Sequence, residues 1–201
     1  MEVAVNINCI LFNGFETLDL FGPVQVFGRC DECCVKYFSM DGKIIKSYQN
    51  VQIVTETVKN IEKNDVLLLP GGLGTRNLVN DACFIEDLKS LIEKTSWCLT
   101  VCTGSALLAK TGLLDGYEAT SNKMAFDWVK TNGVNVRWKY KARWVVDKKF
   151  YTSSGVSAGI DMSFGFIHDH FGSEKVEEIA KILEYKWNNN KDDDVFAVSS
   201  I

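Results

Sequence analysis

Residues 97–110 read WCLTVCTGSALLAK, and this stretch decides the fold. The apolar run from Trp97 to Val101 is typical of a strand that is buried on both faces, as in a parallel sheet. It passes directly into a helical pattern over residues 106–110, which stops at Gly112. Cys102 stands at the junction. This pattern has the form of a nucleophile elbow, a sharp strand-to-helix turn that projects one side chain out of the sheet.

Short apolar strands alternate with helical patterns along the rest of the chain. The predicted strands cover residues 3–12, 34–40, 44–47, 51–54, 65–69, 97–101, 144–146 and 150–152. The predicted helices cover residues 18–27, 82–94, 106–110, 124–131, 157–171 and 173–187. An Asp41-Gly42 turn follows the second strand, and residues 147–149 join the last two strands as a hairpin. This alternation predicts an α/β layered domain with a largely parallel sheet.

The composition is that of an ordinary globular protein. Of the 201 residues, 46% are hydrophobic and 24% are charged, so we expect one domain over residues 1–201 with a C-terminal tail at 187–201. We interpret the charge run at 191–194 as a solvated part of that tail. The net charge of −4 argues against a nucleic-acid partner. The apolar runs are too short to span a membrane and the start does not resemble a signal peptide, which predicts a cytoplasmic protein.

The seven cysteines predict reduced thiols rather than a disulfide framework, because their number is odd and no export signal is visible. Cys30, Cys33 and Cys34 form a cluster, but a zinc site would need a second pair or two suitably spaced histidines. His168 and His170 are two residues apart, so they do not share a helix face. We therefore expect no metal and no cofactor, and we interpret the cysteine cluster as small buried hydrophobic residues on a strand.

Cys102 is the candidate nucleophile. At a helix N-terminus, the helix dipole and the free N–H groups stabilise a thiolate and can lower a cysteine pKa well below about 8.5. Gly104 and Ser105 are small enough to let the turn pack. The alternative is a buried structural cysteine at the end of a strand, and the local pattern alone does not separate the two interpretations.

A pair of glycines follows another buried strand. Gly71 and Gly72 come directly after Pro70 at the end of the run at 65–69. Adjacent glycines at the carboxyl end of a strand let backbone N–H groups approach a ligand closely. The simpler interpretation of this motif by itself is a tight turn.

Asp19 is the candidate partner of the cysteine. It follows the first predicted strand and lies between Leu18 and Leu20. A carboxyl group among apolar residues tends to stay protonated or to pair with a specific partner. Asp19 could then donate a hydrogen bond to a Cys102 thiolate and act as a general acid. The competing interpretation is an aspartate that caps a helix.

The order of these motifs resembles the ThiJ/PfpI superfamily over residues 3 to about 187. Within it, the pattern is most similar to the isonitrile hydratase branch and to the class I glutamine amidotransferase-like sensor domains of AraC-type regulators. The motifs that carry the resemblance are Phe12-Asn13-Gly14-Phe15, Leu18-Asp19-Leu20-Phe21-Gly22-Pro23, Val26-Phe27, Leu67-Leu68-Leu69-Pro70-Gly71-Gly72, Val101-Cys102-Thr103-Gly104-Ser105, residues 109–116 and residues 152–161.

The resemblance implies a flavodoxin-like three-layer sandwich with a nucleophile elbow, and a homodimer. Cys102 matches the nucleophilic cysteine of the superfamily. Asp19 matches the acidic residue that contacts the cysteine, and Thr103 matches the catalytic residue beside it. The backbone N–H groups at Gly71, Gly72 and Thr103 match the site that binds an oxyanion or substrate.

The sequence departs from relatives at two positions. The protease-like branch carries a histidine directly after the cysteine, whereas this chain has Thr103, which argues against peptidase activity. Many hydratase-like relatives have Thr-His-Trp after the elbow helix, whereas Thr120-Ser121-Asn122 lacks the histidine. The regulators carry a DNA-binding helical domain after this one, and we expect none here because the sequence ends at Ile201.

The function implied by the resemblance is hydration of an isonitrile to an N-substituted formamide. In this reaction, the Cys102 thiolate attacks the terminal carbon, Asp19 supplies a proton and water resolves the thioimidate. One alternative is a different hydrolase, amidase or glyoxalase-type activity on a small molecule at the same cysteine. The other is a domain without turnover that senses a ligand or oxidation, in which Cys102 is oxidised to a sulfenic or sulfinic acid.

Overall fold

The structure is a computed structural model that describes residues 5–197. Its strands are β1 (Val5–Ile10), β2 (Cys33–Ser39), β3 (Ile44–Lys46), β4 (Gln52–Val54), β5 (Glu56–Thr57), β6 (Val66–Leu69), β7 (Trp97–Thr100), β8 (Glu118–Ala119), β9 (Arg137–Trp138), β10 (Trp144–Asp147) and β11 (Phe150–Ser153). Its helices are α1 (Thr17–Phe27), α2 (Thr75–Leu78), α3 (Ala82–Glu93), α4 (Gly104–Lys110), α5 (Phe126–Thr131), α6 (Ala158–Phe171) and α7 (Ser173–Ile182). The first two residues of the predicted strand at 3–12 lie outside the described residues.

A seven-stranded sheet with the order β10-β11-β7-β6-β1-β2-β5 forms the centre of the molecule. Every neighbouring pair in it is parallel except β10 and β11, which form the predicted antiparallel hairpin. Helices α1, α6 and α7 pack together, and α2 to α5 form a second group, so that helices cover both sides of the sheet. The prediction of an α/β, flavodoxin-like sandwich with a largely parallel sheet is confirmed.

The apolar patterns of the sequence account for these layers. All four residues of β6 are buried, as expected for a central parallel strand that is covered on both faces. Helix α3 buries Phe84, Leu88 and Ile92, one turn apart, and its N-terminus is capped by Asp81, whose Oδ1 accepts a hydrogen bond from the Phe84 N–H at 3.1 Å. The sheet therefore places the carboxyl ends of β1, β6 and β7 side by side, which is where parallel sheets build their sites.

Some predicted elements differ from the structure in extent or pairing. Helix α4 begins at Gly104 rather than at residue 106, and α5 begins at Phe126 rather than at residue 124. Strands β3 and β4 pair with each other in a separate small sheet, and so do β8 and β9. The predicted elements do not include β5, β8, β9 or α2. Each of these has four residues or fewer, which is too short to show a repeating hydrophobic pattern.

The last helix is shorter than predicted. It ends at Ile182 rather than at residue 187, because Glu184 adopts a left-handed conformation with φ +48° and the Tyr185 N–H closes back on the Ala180 carbonyl at 3.0 Å. The chain then turns onto α6. There the Tyr185 hydroxyl donates to Asp161 Oδ1 and Trp187 Nε1 donates to the Asp161 carbonyl, each at 3.0 Å. Tertiary contacts thus override the helical pattern of residues 183–187.

The charge run at 191–194 is not uniformly solvated. Residues 191–193 are exposed, but Asp194 is only 3% exposed. Its carboxyl lies 3.7 Å from Arg143 Nη1 and 3.8 Å from Lys123 Nζ. The prediction of a solvated tail is therefore wrong for Asp194, because two buried cations need its charge. Residues 198–201 of the predicted tail lie outside the described residues.

The cysteine cluster at 30–34 is less buried than predicted. Cys30 is buried, Cys33 is half-buried and Cys34 is exposed. Cys83 on α3 is exposed as well. The interpretation of Cys34 as a buried residue is wrong because β5 pairs only with the far end of β2, which leaves the first residues of β2 near the sheet edge. Across residues 5–197, no helix has the length and apolar character needed to cross a membrane.

We predict that Asp194→Asn destabilises the fold. The change removes the carboxylate charge that faces the buried Lys123 ammonium, whereas Arg143 keeps Asp161 as its partner, and breaking a buried ion pair costs about 3 kcal/mol. The free energy of unfolding in urea measures the loss. The matched change Asp193→Asn removes an exposed carboxyl from the same run and should stay within about 0.5 kcal/mol of the parent chain. Equal losses in both variants would contradict a structural role for Asp194.

Candidate active site

Cys102 lies on a strained turn between β7 and α4. Its φ is +57°, a left-handed conformation that costs a non-glycine residue about 1–2 kcal/mol. Three hydrogen bonds hold it there. The Cys102 N–H donates to the Ser154 carbonyl at 3.1 Å, and the Cys102 carbonyl accepts from Ser121 Oγ at 2.8 Å and from Ser105 Oγ at 3.0 Å. The turn is therefore a nucleophile elbow in its backbone geometry as well as in its sequence.

The glycines after β6 allow the neighbouring backbones to come close to this elbow. A Cβ atom on Gly71 would lie 2.5 Å from the Thr103 nitrogen and 2.9 Å from Asp19 Oδ2, which is too close for any side chain. Gly72 has a φ of +124°, and a Cβ atom there would lie 2.4 Å from the Glu16 nitrogen. These positions require glycine because three backbone segments meet at one edge of the sheet.

Asp19 is completely buried in the first turn of α1. Its Oδ2 accepts a hydrogen bond from the Gly71 N–H at 3.0 Å. The capping interpretation is wrong, because Glu16 occupies the N-cap of α1 and no side chain caps that helix. Among the described residues, Asp19 Oδ1 has no well-formed hydrogen-bond partner, and the Glu16 charge and the Cys102 side chain are both close enough to alter the pKa of the carboxyl. The predicted pairing of Asp19 with Cys102 thus has a geometric basis.

Burial governs the ionisation of both groups. It raises the pKa of Asp19 to about 7, against the smaller lowering effect of the Gly71 N–H. Burial also raises the pKa of Cys102 well above its ordinary value, and the Asp19 charge adds to this. The N–H groups of Thr103 and Val156 point to the sulfur and lower its pKa by less. The expected lowering by the helix N-terminus is therefore outweighed. Near neutral pH the sulfur therefore keeps its proton, Asp19 is about half ionised, and the titrations of the two neighbouring groups are coupled.

Thr103 organises the amide groups next to the cysteine. The Gly72 N–H donates to Thr103 Oγ1 at 2.9 Å, and Thr75 Oγ1 donates to the same atom at 3.2 Å. The Gly71 N–H is already bonded to Asp19. Two of the amides predicted to bind an oxyanion are therefore occupied within the protein, so an oxyanion would have to displace these acceptors. The assignment of an oxyanion site to Gly71, Gly72 and Thr103 stays a prediction.

Several residues around the elbow were given no role by the sequence. Val156 has a φ of +36°, unusual for a β-branched residue, and its N–H contacts the Cys102 sulfur. Asn122 packs against Gly155, and Arg76 stacks on Trp128. The only signal for Val156 and Asn122 was their place in or beside the family-like motifs, and Arg76 had none. Within residues 5–197, no group of three His, Cys, Asp or Glu side chains is arranged to hold a metal ion.

A cysteine on a nucleophile elbow, at the carboxyl edge of a parallel sheet and beside a buried carboxyl group, defines a class of flavodoxin-like α/β proteins with a cysteine centre. The chain belongs to the DJ-1/PfpI family, whose sequence model matches residues 5–169. It is 29% identical to isonitrile hydratase of Pseudomonas putida over 184 residues, which are 91% of this chain and 79% of that protein.

Two further comparisons agree with the family. The chain is 30% identical to protein dj-1beta of Drosophila melanogaster over 184 residues, which are 89% of this chain and 96% of that protein. The crystal structure of a ThiJ/PfpI family protein from Pseudomonas syringae superposes with a TM-score of 0.83 at 26% identity and covers 92% of this chain and 76% of that one. The predicted superfamily is thus confirmed.

We predict that Asp19→Asn changes how stability depends on pH. A folded pKa of about 7 means that native Asp19 keeps a proton that the unfolded chain loses from about pH 4 upward. The free energy of unfolding of the parent chain therefore falls, relative to the variant, as pH rises from about 4 to 7. The stability difference between the two proteins changes by about 2–4 kcal/mol over this range and levels off above pH 7.

Urea unfolding at pH 4.5, 6 and 8 tests this prediction. The matched variant Asp127→Asn removes an exposed carboxyl that is 96% accessible in its side chain, and it controls for the substitution itself. If the free energy of unfolding depended on pH in the same way for the parent chain and Asp19→Asn, burial would not perturb the pKa of Asp19.

Proposed function

We propose that this chain is a cysteine-dependent enzyme that hydrates a small isonitrile to an N-substituted formamide. The observation that carries the proposal is the pairing of Cys102, on its elbow, with Asp19, a buried carboxyl whose raised pKa of about 7 lets it take up and give up a proton near neutral pH. The similarity to isonitrile hydratase supports the choice of substrate. The unpaired state of all seven cysteines is compatible with a reducing compartment, and we place the protein in the cytoplasm.

The reaction assigns one role to each member of the pair. The ionised Asp19 takes the thiol proton of Cys102 as the sulfur forms a bond to the terminal isonitrile carbon, and Asp19 then passes this proton to that carbon. The product is a thioimidate with a carbon–nitrogen double bond. Water adds to its carbon and protonates the nitrogen, and the carbon–sulfur bond breaks. Asp19 takes the remaining proton of the attacking water and returns it to the released sulfur, and the formamide leaves.

The surrounding backbone fits this sequence of steps. The N–H groups of Thr103 and Val156 face the sulfur, so they stabilise the thiolate when it forms and when it leaves. The Thr103 hydroxyl accepts the Gly72 N–H and fixes the loop after β6. We assign Thr103 as a positioning residue through its side chain and as a donor to the reacting sulfur through its backbone.

A sensing domain is the second candidate, because a domain that reacts once per signal does not need the rapid turnover of an enzyme. Cys102 is 6% exposed, and its raised pKa leaves little free thiolate at neutral pH, and both slow any reaction of its sulfur. In this case, a peroxide would oxidise the Cys102 thiol to a sulfenic acid and be reduced to water or an alcohol. The two candidates differ in whether Cys102 is regenerated after each reaction.

We predict that isonitrile turnover depends on both members of the pair. Cys102→Ser should abolish the formation of formamide, because a serine hydroxyl is a much weaker nucleophile. Asp19→Asn should lower turnover by about 10²–10⁴-fold, because an amide cannot donate the proton. It should also lower the pKa of Cys102, since it removes a negative charge beside the sulfur. Infrared loss of the isonitrile band and ultraviolet thiolate titration measure the two effects.

The control for this experiment is Asp127→Asn, a change of an exposed acid on α5 whose side chain is 96% accessible. It should keep turnover within a few-fold of the parent chain. A parent chain that consumes no isonitrile, but whose Cys102 is oxidised by peroxide faster than the exposed Cys34 and Cys83, favours the sensing domain. Full turnover in Asp19→Asn would remove Asp19 from the mechanism.

We also propose that the chain forms a homodimer through a groove between α1 and the α6–α7 pair. Leu18 and Ile182 are 42% and 49% exposed on this groove, and Phe21, Ile160 and Leu183 line it between them. The α1 side of the groove belongs to the same helix that carries Asp19. Exposed apolar side chains grouped in this way are typical of a protein interface.

Light scattering at micromolar concentration tests the dimer. The expected mass is twice the 22.6 kDa of one chain. Leu18→Asp should shift the protein towards the monomer, because it places a charge in the apolar interface. The matched change Val134→Asp alters a residue that is 82% exposed and lies outside the groove, and it should leave the mass unchanged. A monomer at this concentration for the parent chain would reject the proposal.

A further inference from the structure

A basic side chain, Arg76 of α2, lies beside the cysteine site. Its neighbour Thr75 is completely buried and donates from Oγ1 to Thr103 Oγ1 at 3.2 Å, so α2 is tied directly to the residue that follows Cys102. Helix α2 also packs on α4, the helix that begins directly after the elbow, and from there the Arg76 charge acts on the Cys102 sulfur. Arg76 therefore belongs to the surroundings of the reacting atom, although neither the sequence motifs nor the mechanism above gives it a role.

The Arg76 guanidinium is held in place by an aromatic ring. Its Cζ lies 3.5 Å from the centre of the Trp128 ring on α5. Stacking on a ring occupies one face of the planar guanidinium and leaves the N–H groups along its edge available to donate hydrogen bonds. The stack also reduces the rotamer freedom that a ligand would otherwise have to remove. Arg76 is thus oriented before any ligand binds.

No acidic side chain neutralises Arg76 within residues 5–197, and no hydrogen-bond acceptor contacts its guanidinium there. The buried Arg143, in contrast, donates from Nε to Asp161 at 2.6 Å and also lies near Asp194. Lys123, the basic residue two positions after Ser121, is committed to Asp194 and to the Ala142 carbonyl. Arg76 is thus half-buried and oriented, and the N–H groups along one edge of its guanidinium have no acceptor among the described residues. An anionic group can bind at that edge.

We propose that Arg76 binds a carboxylate group of the substrate whose reacting atom is attacked by Cys102. A single planar guanidinium matches one carboxylate through two parallel hydrogen bonds, which selects a monoanionic group. The inference rests on the proposed function in that Cys102 is the reacting group. It narrows the substrate class to small isonitriles that carry a carboxylate. Arg76 is a specificity-determining residue in this scheme, and Trp128 positions it.

The first test needs no substrate. Iodoacetate and iodoacetamide alkylate the same thiolate and differ mainly in the charge of one end, so the ratio of their rates at one cysteine is independent of that cysteine's pKa. Peptide mass spectrometry reads the ratio at each thiol. In the parent chain, we expect the iodoacetate-to-iodoacetamide ratio to be at least about 10-fold higher at Cys102 than at the exposed Cys34 and Cys83, in line with a charge-assisted pair. Equal ratios at all three thiols would overturn the proposal.

Variants distinguish the effect of the Arg76 side chain from the electrostatic field of the rest of the site. Arg76→Gln should reduce the ratio at Cys102 to that of the exposed cysteines. Arg76→Lys keeps the charge but lacks the planar fork, and it should retain only part of the preference. Lys110→Gln removes an exposed charge at the opposite end of α4 and should change nothing. A high ratio that persists in Arg76→Gln would assign the preference to another group. If a variant fails to fold, the iodoacetate-to-iodoacetamide ratio measured in the parent chain still decides the test.

The second test uses a matched pair of substrates, isocyanoacetate and its methyl ester. We expect the parent chain to show a kcat/KM at least about 10-fold higher for the anion, mainly through KM. Arg76→Gln should lose that preference and leave the ester unaffected. A parent chain that prefers the ester contradicts the carboxylate assignment. If neither isonitrile reacts, the proposed hydration fails, and the alkylation ratio still decides whether Arg76 binds a carboxylate beside Cys102.

Discussion

The hydrogen bond from the Gly71 N–H to the buried carboxyl group of Asp19 is the contact on which the site depends. It joins the first turn of α1 to the carboxyl end of β6, two segments that are far apart in the sequence. The approach is possible only because Gly71 has no Cβ, since that atom would collide with the Thr103 nitrogen. One contact therefore fixes the helix that carries the acid, the loop beside it and the start of the elbow that carries Cys102.

Placing Asp19 there has an energetic consequence. A carboxyl group without water is easier to keep neutral than charged, so burial raises its pKa to about 7. The same dry surroundings hinder ionisation of the Cys102 thiol, and the left-handed backbone of Cys102 and Val156 adds strain of about 1–3 kcal/mol at each residue. The fold balances these costs with the extensive burial of its central strands. The result is a site that holds a proton and a nucleophile close together near neutral pH.

Local patterns in the sequence were sufficient to predict the layers of the fold and the elbow at Cys102. The apolar runs of β6 and β7 and the amphipathic pattern of α3 are recognisable within a few residues. Burial on two faces gives a strand a continuous apolar run, and burial on one side of a helix repeats an apolar residue at each turn. The pairing of Asp19 with Cys102 could be proposed for the same reason, since both follow strands that end at the same edge.

The features that sequence reasoning missed depend on contacts between distant segments. The early end of α7 follows from the hydrogen bonds of Tyr185 and Trp187 to Asp161, and the burial of Asp194 follows from two cations contributed by other loops. The raised pKa of Cys102 has the same origin, because the helix end that favours a thiolate is visible in the sequence whereas the depth of burial is not. Arg76 lies on a helix too short to show any period.

The burial of Asp194 has a consequence for handling the protein. Asp194 lies against Arg143, the Arg143 carbonyl accepts the Ser154 N–H at 2.8 Å, and the Ser154 carbonyl in turn accepts the Cys102 N–H at 3.1 Å. The support of the elbow thus extends by direct contacts to Asp194. Trimming the polar stretch after Trp187 to aid crystallisation, or fusing a bulky tag close behind it, would disturb the cysteine centre from a distance. An inactive preparation made in that way would say nothing about the chemistry of Cys102.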